Sequence, residues 1–382
     1  MSPIGRWTAA LACAAAVSIG FAAEERAMNA ETCLVYTGSY SDAKDEGIQV
    51  FGLDLSSGAL TRVGGASGAG NPSFLAIHPS KKFIYAACEA GKTGSVAAFG
   101  LDEKGVPTLL NMQPSEGSGP CFVAVDKAGK NVLAANYGSG SVACIPIGDD
   151  GKLAPPSSSV QHKGGSVVKG RQEGPHAHSI NLDAANRFAF AADLGLDKIL
   201  VYKFDSAKGT LTPNDPPATD VPPGSGPRHF AFHPSGKYAY ACGEMAMTVI
   251  VFAYDADKGV LKEMQVLGTL PEGAERKGTS TAETQVSPDG RHVYVSNRGH
   301  NTVAVFDVDP STGKLTAAGH CPTGGKTPRN FGIDPSGRFL IAANQDSNNV
   351  VVFKIDAKTG MPSPAGHEVS VPKPVCVKFL MK

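Results

Sequence analysis

The stretch GPRHFAFHPSGKYAYACGE, residues 226–244, predicts a β-hairpin. A short run rich in apolar residues at 229–233 precedes turn residues at 234–237, and a second strand-like run covers 238–242. Two such runs joined by a turn that contains Pro and Gly are typical of antiparallel hairpins. The aromatic residues of the two runs are the expected packing face of the hairpin.

Similar hairpins recur along the chain at a spacing of roughly 50 residues, which indicates stacked supersecondary units rather than independent domains. They begin near Asn71, Gly119, Gly174, Thr281 and Thr327. Each is followed by two further strand candidates with a Gly turn between them, as at Gly259 and Gly313. Four antiparallel strands per unit suit a propeller blade, and no stretch shows sustained helical periodicity.

The two ends of the repeat region complement each other. Residues 34–63 supply strands two, three and four of a further unit, and residues 373–380 supply its missing first strand. Closing the ring in this way hides the edge strands. We therefore expect an all-β fold: a seven-bladed β-propeller of four-stranded antiparallel blades, closed by a composite blade from both termini. A ring of six or eight blades is the alternative, and it requires one misread unit.

The N-terminus predicts an export signal. Arg6 precedes an uncharged, Ala-rich run at 7–23, small residues stand before Ala23, and charged residues begin at Glu24. This is the pattern of a cleaved signal peptide, and the run is short for a membrane anchor, the alternative reading. We expect a signal at 1–22, a linker at 23–32, one propeller at 33–382, and an exported protein, periplasmic or secreted, with no membrane attachment after cleavage.

Composition excludes some partners. Lys+Arg and Asp+Glu both number 35, so no net charge attracts nucleic acid. Loss of Cys13 with the signal leaves seven of the eight cysteines, an odd number with no CxxC pair, most of them inside strand-like runs. We expect them to be buried thiols, and we expect a monomer that binds a small molecule.

Polar residues gather at one mouth of the expected channel. In an antiparallel blade, the start of the innermost strand and the end of the second strand lie on the same face. Differences between equivalent positions of a repeat indicate a task beyond folding, although channel ion pairs can also be purely structural. The candidates at these positions are His176, His178, Arg228, His229, Glu244, Glu283, Arg298, Arg329 and Gln345. Arg171 joins them from the long connection at 157–174, which is either a lid or a solvated loop.

His176 and His178 share one face of a strand, and with Glu283 they could hold a metal. Nothing in the sequence supplies further ligands, so we predict neither metal nor cofactor. His233 and His78 precede Pro in turns at the far side and are expected to be structural.

At these residues the sequence resembles the seven-bladed lactonase family, which includes propeller-type 6-phosphogluconolactonases and fungal carboxymuconate-lactonising enzymes. The phrases that carry the resemblance are NPSF at 71–74, GPHAHS at 174–179, GPRHF at 226–230, SNRGH at 296–300 and TPRNF at 327–331. The resemblance implies that a His, an acidic residue and arginines act at the mouth, at His176, at Glu283 or Glu244, and at Arg228 with Arg329. Export is a departure from it, because a phosphogluconolactone is a cytoplasmic metabolite.

The expected chemistry is hydrolysis of a sugar lactone by a base-activated water. A lactone needs a base for water, a cation for the oxyanion and an acid for the leaving alkoxide. His176 or Glu283 is the expected base, and Arg228 the oxyanion partner. We expect Arg329 and Arg298 to bind a phosphate or carboxylate of the substrate. The other expected substrate contacts are His178, His229, Glu244, Gln345 and Arg171. No GxSxG motif occurs, so no acyl-enzyme is expected. A carboxymuconate-type cycloisomerase and a non-catalytic binding propeller are the alternatives.

Overall fold

The computed structural model describes residues 33–382, which form seven four-stranded antiparallel sheets. The expected signal and linker lie outside the described residues. Within residues 33–382, no helix is long and apolar enough to cross a membrane.

The strands follow one another in chain order, and each blade runs outward from the channel. The composite blade contains β28 (Pro374–Met381), β1 (Cys33–Ser39), β2 (Ile48–Leu53) and β3 (Leu60–Ala66). Blade two contains β4 (Pro72–Ile77), β5 (Phe83–Cys88), β6 (Ser95–Leu101) and β7 (Pro107–Pro114). Blade three contains β8 (Pro120–Val125), β9 (Asn131–Asn136), β10 (Ser141–Pro146) and β11 (Ser158–Gln161). Blade four contains β12 (Ala177–Leu182), β13 (Phe188–Asp193), β14 (Lys198–Asp205) and β15 (Thr210–Asp220). Blade five contains β16 (Pro227–Phe232), β17 (Tyr238–Gly243), β18 (Thr248–Asp255) and β19 (Val260–Gly268). Blade six contains β20 (Ser280–Val286), β21 (His292–Arg298), β22 (Thr302–Val308) and β23 (Leu315–Pro322). Blade seven contains β24 (Pro328–Ile333), β25 (Phe339–Asn344), β26 (Asn349–Ile355) and β27 (Pro362–Ser370).

The predicted ring closure is confirmed. β28 pairs with β1 in an antiparallel register that runs from Cys33 opposite Met381 to Ser39 opposite Pro374. Each innermost strand also contacts the innermost strands of both neighbouring blades, so the seven form a closed ring. The closed ring defines a central channel with two mouths.

The hairpin at 226–244 forms the inner half of blade five, as predicted. Ala231 lies opposite Tyr240, and the amide of His233 donates to the carbonyl of Tyr238 to close the turn. The Gly turn between the outer strands is also present: Gly259 has φ +67°, and a Cβ there would lie 2.5 Å from the ring of Phe188 in blade four. That position therefore requires glycine.

Second strands of the blades are continuous apolar runs because both of their faces are covered by neighbouring blades. All six residues of β13 are buried, whereas the outermost strand β27 alternates between exposed and half-buried positions. Between blades four and five, Phe190 stacks on Phe230 with ring centroids 5.7 Å apart. The seven cysteines of the described chain are buried and unpaired, as predicted.

A buried tyrosine ties several blades to the next one. Tyr240 of β17 donates its hydroxyl to the carbonyl of Gly313, 3.0 Å away, in the outer turn of blade six. Tyr36, Tyr85 and Tyr294 make the equivalent bond from other blades. Because the rings are buried, an unpaired hydroxyl would be costly, and the bond removes that cost.

Candidate active site

Every inner strand carries a β-bulge near its first residues, at the same mouth of the channel. In blade seven, Pro328 pairs with Asn344 and Asn330 with Ala343, which leaves Arg329 as the extra residue. A bulge takes a side chain out of the regular alternation and re-aims it. From the composite blade to blade seven, the bulged residues are Val375, Ser73, Cys121, His178, the pair Arg228–His229, the pair Ala282–Glu283, and Arg329.

Bulged residues from six of these blades line one small cavity, here called the upper cavity. Val375, Ser73 and Cys121 form the part of the wall with no charge, and Arg228 and Arg329 supply two guanidinium groups. The remaining lining side chains are Tyr40, Phe74, Glu89, His178 and His229. The repeat thus supplies one position per blade, and the sequence at that position gives the cavity its chemistry.

Three arginines surround Glu244 at the rim of this cavity. Oε2 of Glu244 lies 2.9 Å from Nε of Arg228 and 3.0 Å from Nη2 of Arg298, while Oε1 accepts a 2.8 Å hydrogen bond from Arg171. Burial raises the pKa of Glu244, but Arg298, Arg228 and Arg171 outweigh burial and lower the pKa to about 2. The carboxylate is therefore ionised at neutral pH, and the cluster keeps an excess of positive charge.

Arg228 is held rigidly by this cluster. Its side chain is 2 % exposed, and Nη1 donates to the carbonyl of Ala282 in the next blade. Arg298 is fixed similarly, because its Nη2 donates to the carbonyl of Thr281 at 3.0 Å. Burial and the nearby Arg228 lower the pKa of Arg298 to about 10, so it stays charged at neutral pH.

Arg329 differs from these arginines. No carboxylate of the described chain lies within ion-pair distance of its guanidinium, whose Cζ lies 5.4 Å from the centroid of the Tyr40 ring. The hydroxyl of Tyr40 donates to Oε1 of Glu89 at 3.1 Å. Arg329 is thus a half-buried cation that faces the cavity and makes no direct ion pair in the described chain, although Glu89 and Glu244 are near enough to raise its pKa.

His229 and Glu283 lie side by side below the upper cavity. Nδ1 of His229 is 3.0 Å from Oε1 of Glu283. Glu283 also accepts hydrogen bonds from the backbone amide of Thr284 and the side-chain amide of Asn330. Glu283 does not line the upper cavity; it lines a larger cavity at the opposite mouth, here called the lower cavity.

His178 lines the upper cavity, whereas His176 does not. Nδ1 of His178 lies 3.5 Å from the sulfur of Cys121, and burial together with Arg228, His229 and Arg329 lowers the pKa of His178 well below its usual range. His176 is half-buried, stacks on the ring of Tyr137, and places Nδ1 2.9 Å from the Tyr137 carbonyl. Residues 33–382 hold no group of His, Cys, Asp and Glu side chains that could bind a metal.

The connection at 157–174 is tied to the propeller by a few buried polar contacts, although residues 163–171 are largely exposed. Its first part is strand β11, and His162 is buried with Nδ1 2.6 Å from Oδ2 of Asp193 and Nε2 2.8 Å from the hydroxyl of Tyr202. The backbone amide of His176 donates to the other oxygen of Asp193 at 2.7 Å. This anchor holds the segment at the mouth, where Arg171 reaches Glu244.

The structure therefore brings together only part of the predicted site. The upper cavity contains Arg228, Arg329, His178 and His229, with Glu244, Arg298 and Arg171 behind them. His176 and Glu283, both expected as bases, lie outside the cavity lining. Gln345 also lies outside it, and its amide donates to Asp346 at 3.1 Å.

Sequence reasoning did not assign Tyr40 and Glu89 to the site, although both follow the ends of second strands, at the expected mouth. The same is true of Ser73 and Cys121 at the starts of inner strands. Their positions in the repeat could have assigned these four residues to the mouth. They were not chosen because other blades carry His, Arg or Glu at the equivalent positions.

Fold and cavity together define the class: a seven-bladed propeller with two arginines in a cavity at one mouth of its channel. The chain belongs to the lactonase, 7-bladed β-propeller family, whose profile matches residues 34–379. The predicted family is thereby confirmed.

The relatives and the solved structure named here each cover more than three quarters of the chain. The 6-phosphogluconolactonase of Bacillus subtilis (strain 168) is 39 % identical over 346 residues, which cover 90 % of this chain and 97 % of the relative. A 6-phosphogluconolactonase of Formosa agariphila is 37 % identical over 78 % of this chain and 86 % of its own length. The solved periplasmic gluconolactonase of Pseudomonas aeruginosa has a TM-score of 0.85 and 31 % identity, covering 91 % of this chain and 99 % of that one.

Proposed function

We propose that this protein hydrolyses a sugar lactone that carries an anionic group, in the upper cavity. One observation carries the proposal: the guanidinium of Arg329 faces the cavity with no carboxylate of the described chain within ion-pair distance, and Arg228, which is fixed by Glu244, lines the same cavity. The named activity of the relatives from Bacillus subtilis and Formosa agariphila, and that of the Pseudomonas aeruginosa structure, support a lactone as the substrate.

Arg228 would stabilise the oxyanion. Because Glu244 and the Ala282 carbonyl fix it on two sides, its remaining donors are oriented before substrate binds. Donors that need no reorganisation contribute most to transition-state stabilisation. Arg329, which is not tied to a protein anion, would bind the phosphate or carboxylate of the substrate through paired hydrogen bonds.

The cavity side chains favour direct attack by water. Burial raises the pKa of the Cys121 thiol, so the sulfur is protonated and a poor nucleophile. The hydroxyl of Ser73 is buried and has no hydrogen-bond partner in the described chain, so no base activates it there. This agrees with the absence of a nucleophile motif in the sequence.

The direct experiment measures turnover of 6-phosphogluconolactone and of gluconolactone by the purified protein, with spontaneous hydrolysis subtracted. We expect turnover of at least one sugar lactone, with the anionic one favoured. Carboxymuconate belongs in the same panel: turnover of carboxymuconate alone would indicate a cycloisomerase. Binding without turnover of any compound would indicate a non-catalytic propeller.

We also propose that the protein is exported and acts as a monomer. The proposal of export rests on residues 1–22, and the name of the similar Pseudomonas aeruginosa protein places that protein in the periplasm. N-terminal sequencing after cell fractionation should find a mature chain that starts at Ala23 outside the cytoplasm; an intact Met1 in the cytoplasm would contradict export. Light scattering tests the oligomeric state.

A further inference from the structure

His229 separates the two cavities of the channel. It lines both the upper and the lower cavity, and its side chain is only 4 % exposed. Phe74 and Phe122, whose rings stack 4.2 Å apart, each meet the imidazole edge-on. The ring is therefore held in place by aromatic packing.

The two nitrogens of His229 have different surroundings. Nδ1 lies 3.0 Å from Oε1 of Glu283, within ion-pair range but out of line for a full hydrogen bond. Nε2 is buried and has no hydrogen-bond partner in residues 33–382. Catalytic hydrogen bonds are often poorly aligned without substrate and tighten in the complex, so this geometry suits a base awaiting its ligand.

Glu283 is itself fixed. Its Oε1 accepts from the amide of Thr284 at 2.9 Å, and its Oε2 accepts from Nδ2 of Asn330. Asn330 is oriented in turn, because its Oδ1 accepts from the amide of Val377 at 2.8 Å. The carboxylate consequently has a single orientation, with one oxygen turned to His229.

We propose that His229 is the general base of the reaction and that Glu283 is its positioning residue. The inference rests on the proposed lactone hydrolysis and adds the group that moves the proton. A buried carboxylate beside Nδ1 favours the tautomer with hydrogen on Nδ1, which leaves the lone pair of Nε2 for water.

His229 returns to the product the proton that it takes from water. Nε2 of His229 takes a proton from water while the water oxygen bonds to the lactone carbonyl carbon, and the carbonyl electron pair moves to its oxygen beside Arg228. When the tetrahedral intermediate collapses, the ring C–O bond breaks. The departing alkoxide then takes the proton back from Nε2, giving the open hydroxy acid.

Glu89 is the competing base in the same cavity. It is the carboxylate among the upper-cavity side chains, and one oxygen accepts from Tyr40. In the described chain, this bond from Tyr40 is the only hydrogen bond that orients the side chain of Glu89. His229, in contrast, is packed by two aromatic rings and faces a carboxylate held by two donors, which favours His229.

The test compares His229→Gln, Glu283→Gln and Glu89→Gln on the lactone that the wild type turns over. His78→Gln is the matched control, because His78 lies in a turn at the far side of blade two, bonded to Ser80 and Gly129. We expect His229→Gln to lower kcat roughly 100-fold or more with KM nearly unchanged. Glu283→Gln should lower kcat less than His229→Gln, and Glu89→Gln should lower it less again, while the control should stay within about threefold of wild type.

Full kcat in His229→Gln, or a loss confined to Glu89→Gln, would overturn the proposal. If His229→Gln does not fold, Glu89→Gln and the pH profile of kcat/KM decide together, since a carboxylate base would give an acid limb in the same range and Glu89→Gln would abolish it. Burial and Arg228 lower the pKa of His229 to about 4 against the opposing effect of Glu283, with Lys378 and the neutral His178 also nearby. The acid limb should therefore lie near pH 4, and a limb at pH 6 to 7 would contradict the assignment. Absence of any wild-type turnover would instead reject the proposed function.

Discussion

Nε of Arg228 lies 2.9 Å from Oε2 of Glu244 within the inner hairpin of blade five, at the mouth of the channel. Arg298 and Arg171 approach the same carboxylate, so one anion organises three cations. We therefore interpret Glu244 as a residue that positions the arginines rather than one that contacts substrate.

Replacement of Glu244 by Gln should impair both folding and activity. The change leaves Arg228 and Arg298 buried beside a neutral group, and breaking a buried ion pair in this way costs about 3 kcal/mol or more. Chemical denaturation should show the loss in the free energy of unfolding, and kcat/KM should fall at least tenfold because Arg228 is no longer oriented. Unchanged stability and unchanged kcat/KM would together reject the positioning role.

The same carboxylate makes stability depend on pH in the acid range. Its pKa falls from the ordinary 4.5 to about 2 on folding, so the unfolded chain binds the proton more tightly. The contribution of Glu244 is therefore complete above about pH 4.5 and is lost as pH falls towards 2. Free energies of unfolding measured across this range should decline more steeply in wild type than in Glu244→Gln; parallel curves would contradict the lowered pKa.

Replacement of Arg329 by Gln should raise KM for an anionic substrate and leave KM for a neutral substrate nearly unchanged. Loss of a charge-assisted, paired contact should raise KM for an anionic lactone roughly tenfold or more, while a neutral lactone is little affected. Arg338→Gln is the matched control, because Arg338 is exposed on the far side of the same blade, where its Nε donates to Ser336. Equal effects of Arg329→Gln on both lactones would show that Arg329 does not bind the anionic group.

His176→Ala should keep kcat within about threefold of wild type, since a group outside the cavity cannot serve as the base by direct contact. The resemblance implied a catalytic role for His176, but its ring stacks on Tyr137 and its Nδ1 faces a backbone carbonyl. A loss of kcat by 100-fold in steady-state assays would restore the catalytic assignment.

Two tyrosines of one strand test the bonds between blades. Tyr240 and Tyr238 each donate to a carbonyl of the outer turn of blade six, but Tyr240 is fully buried and the hydroxyl bond of Tyr238 is exposed. Tyr240→Phe leaves the Gly313 carbonyl buried without this partner and should cost about 1 to 3 kcal/mol. Tyr238→Phe, the control, should cost less than about 0.5 kcal/mol. Equal costs in urea denaturation would contradict this account.

The fold could be predicted because its signal is repeated. Each hairpin resembles 226–244, and the missing first strand of the first unit reappears at 373–380, so each assignment supports the others. The mouth was predictable for the same reason: antiparallel pairing fixes which strand ends share a face.

The bulges decide which cavity each side chain at the mouth faces. The alternation of apolar and polar residues in the sequence does not show where a bulge occurs. A bulge pairs Arg228 and His229 against the single residue Cys242, and a second one sends Glu283 towards His229 rather than into the upper cavity. An error of one position moves a side chain to the other face. Glu283 was therefore expected at the upper mouth but lines the lower cavity, and Glu89, which lines the upper cavity, was not assigned.

The central claim is that Arg228 stabilises the transition state of lactone hydrolysis in the upper cavity. Steady-state turnover of 6-phosphogluconolactone and gluconolactone by wild type and Arg228→Lys, corrected for spontaneous hydrolysis, tests it most directly. Lysine keeps the charge but cannot reproduce the planar fork that Glu244 and Ala282 orient. The account predicts turnover above background by wild type and a loss of kcat of roughly 100-fold in the variant. Wild-type rates equal to background, or a variant that retains full kcat, would contradict it.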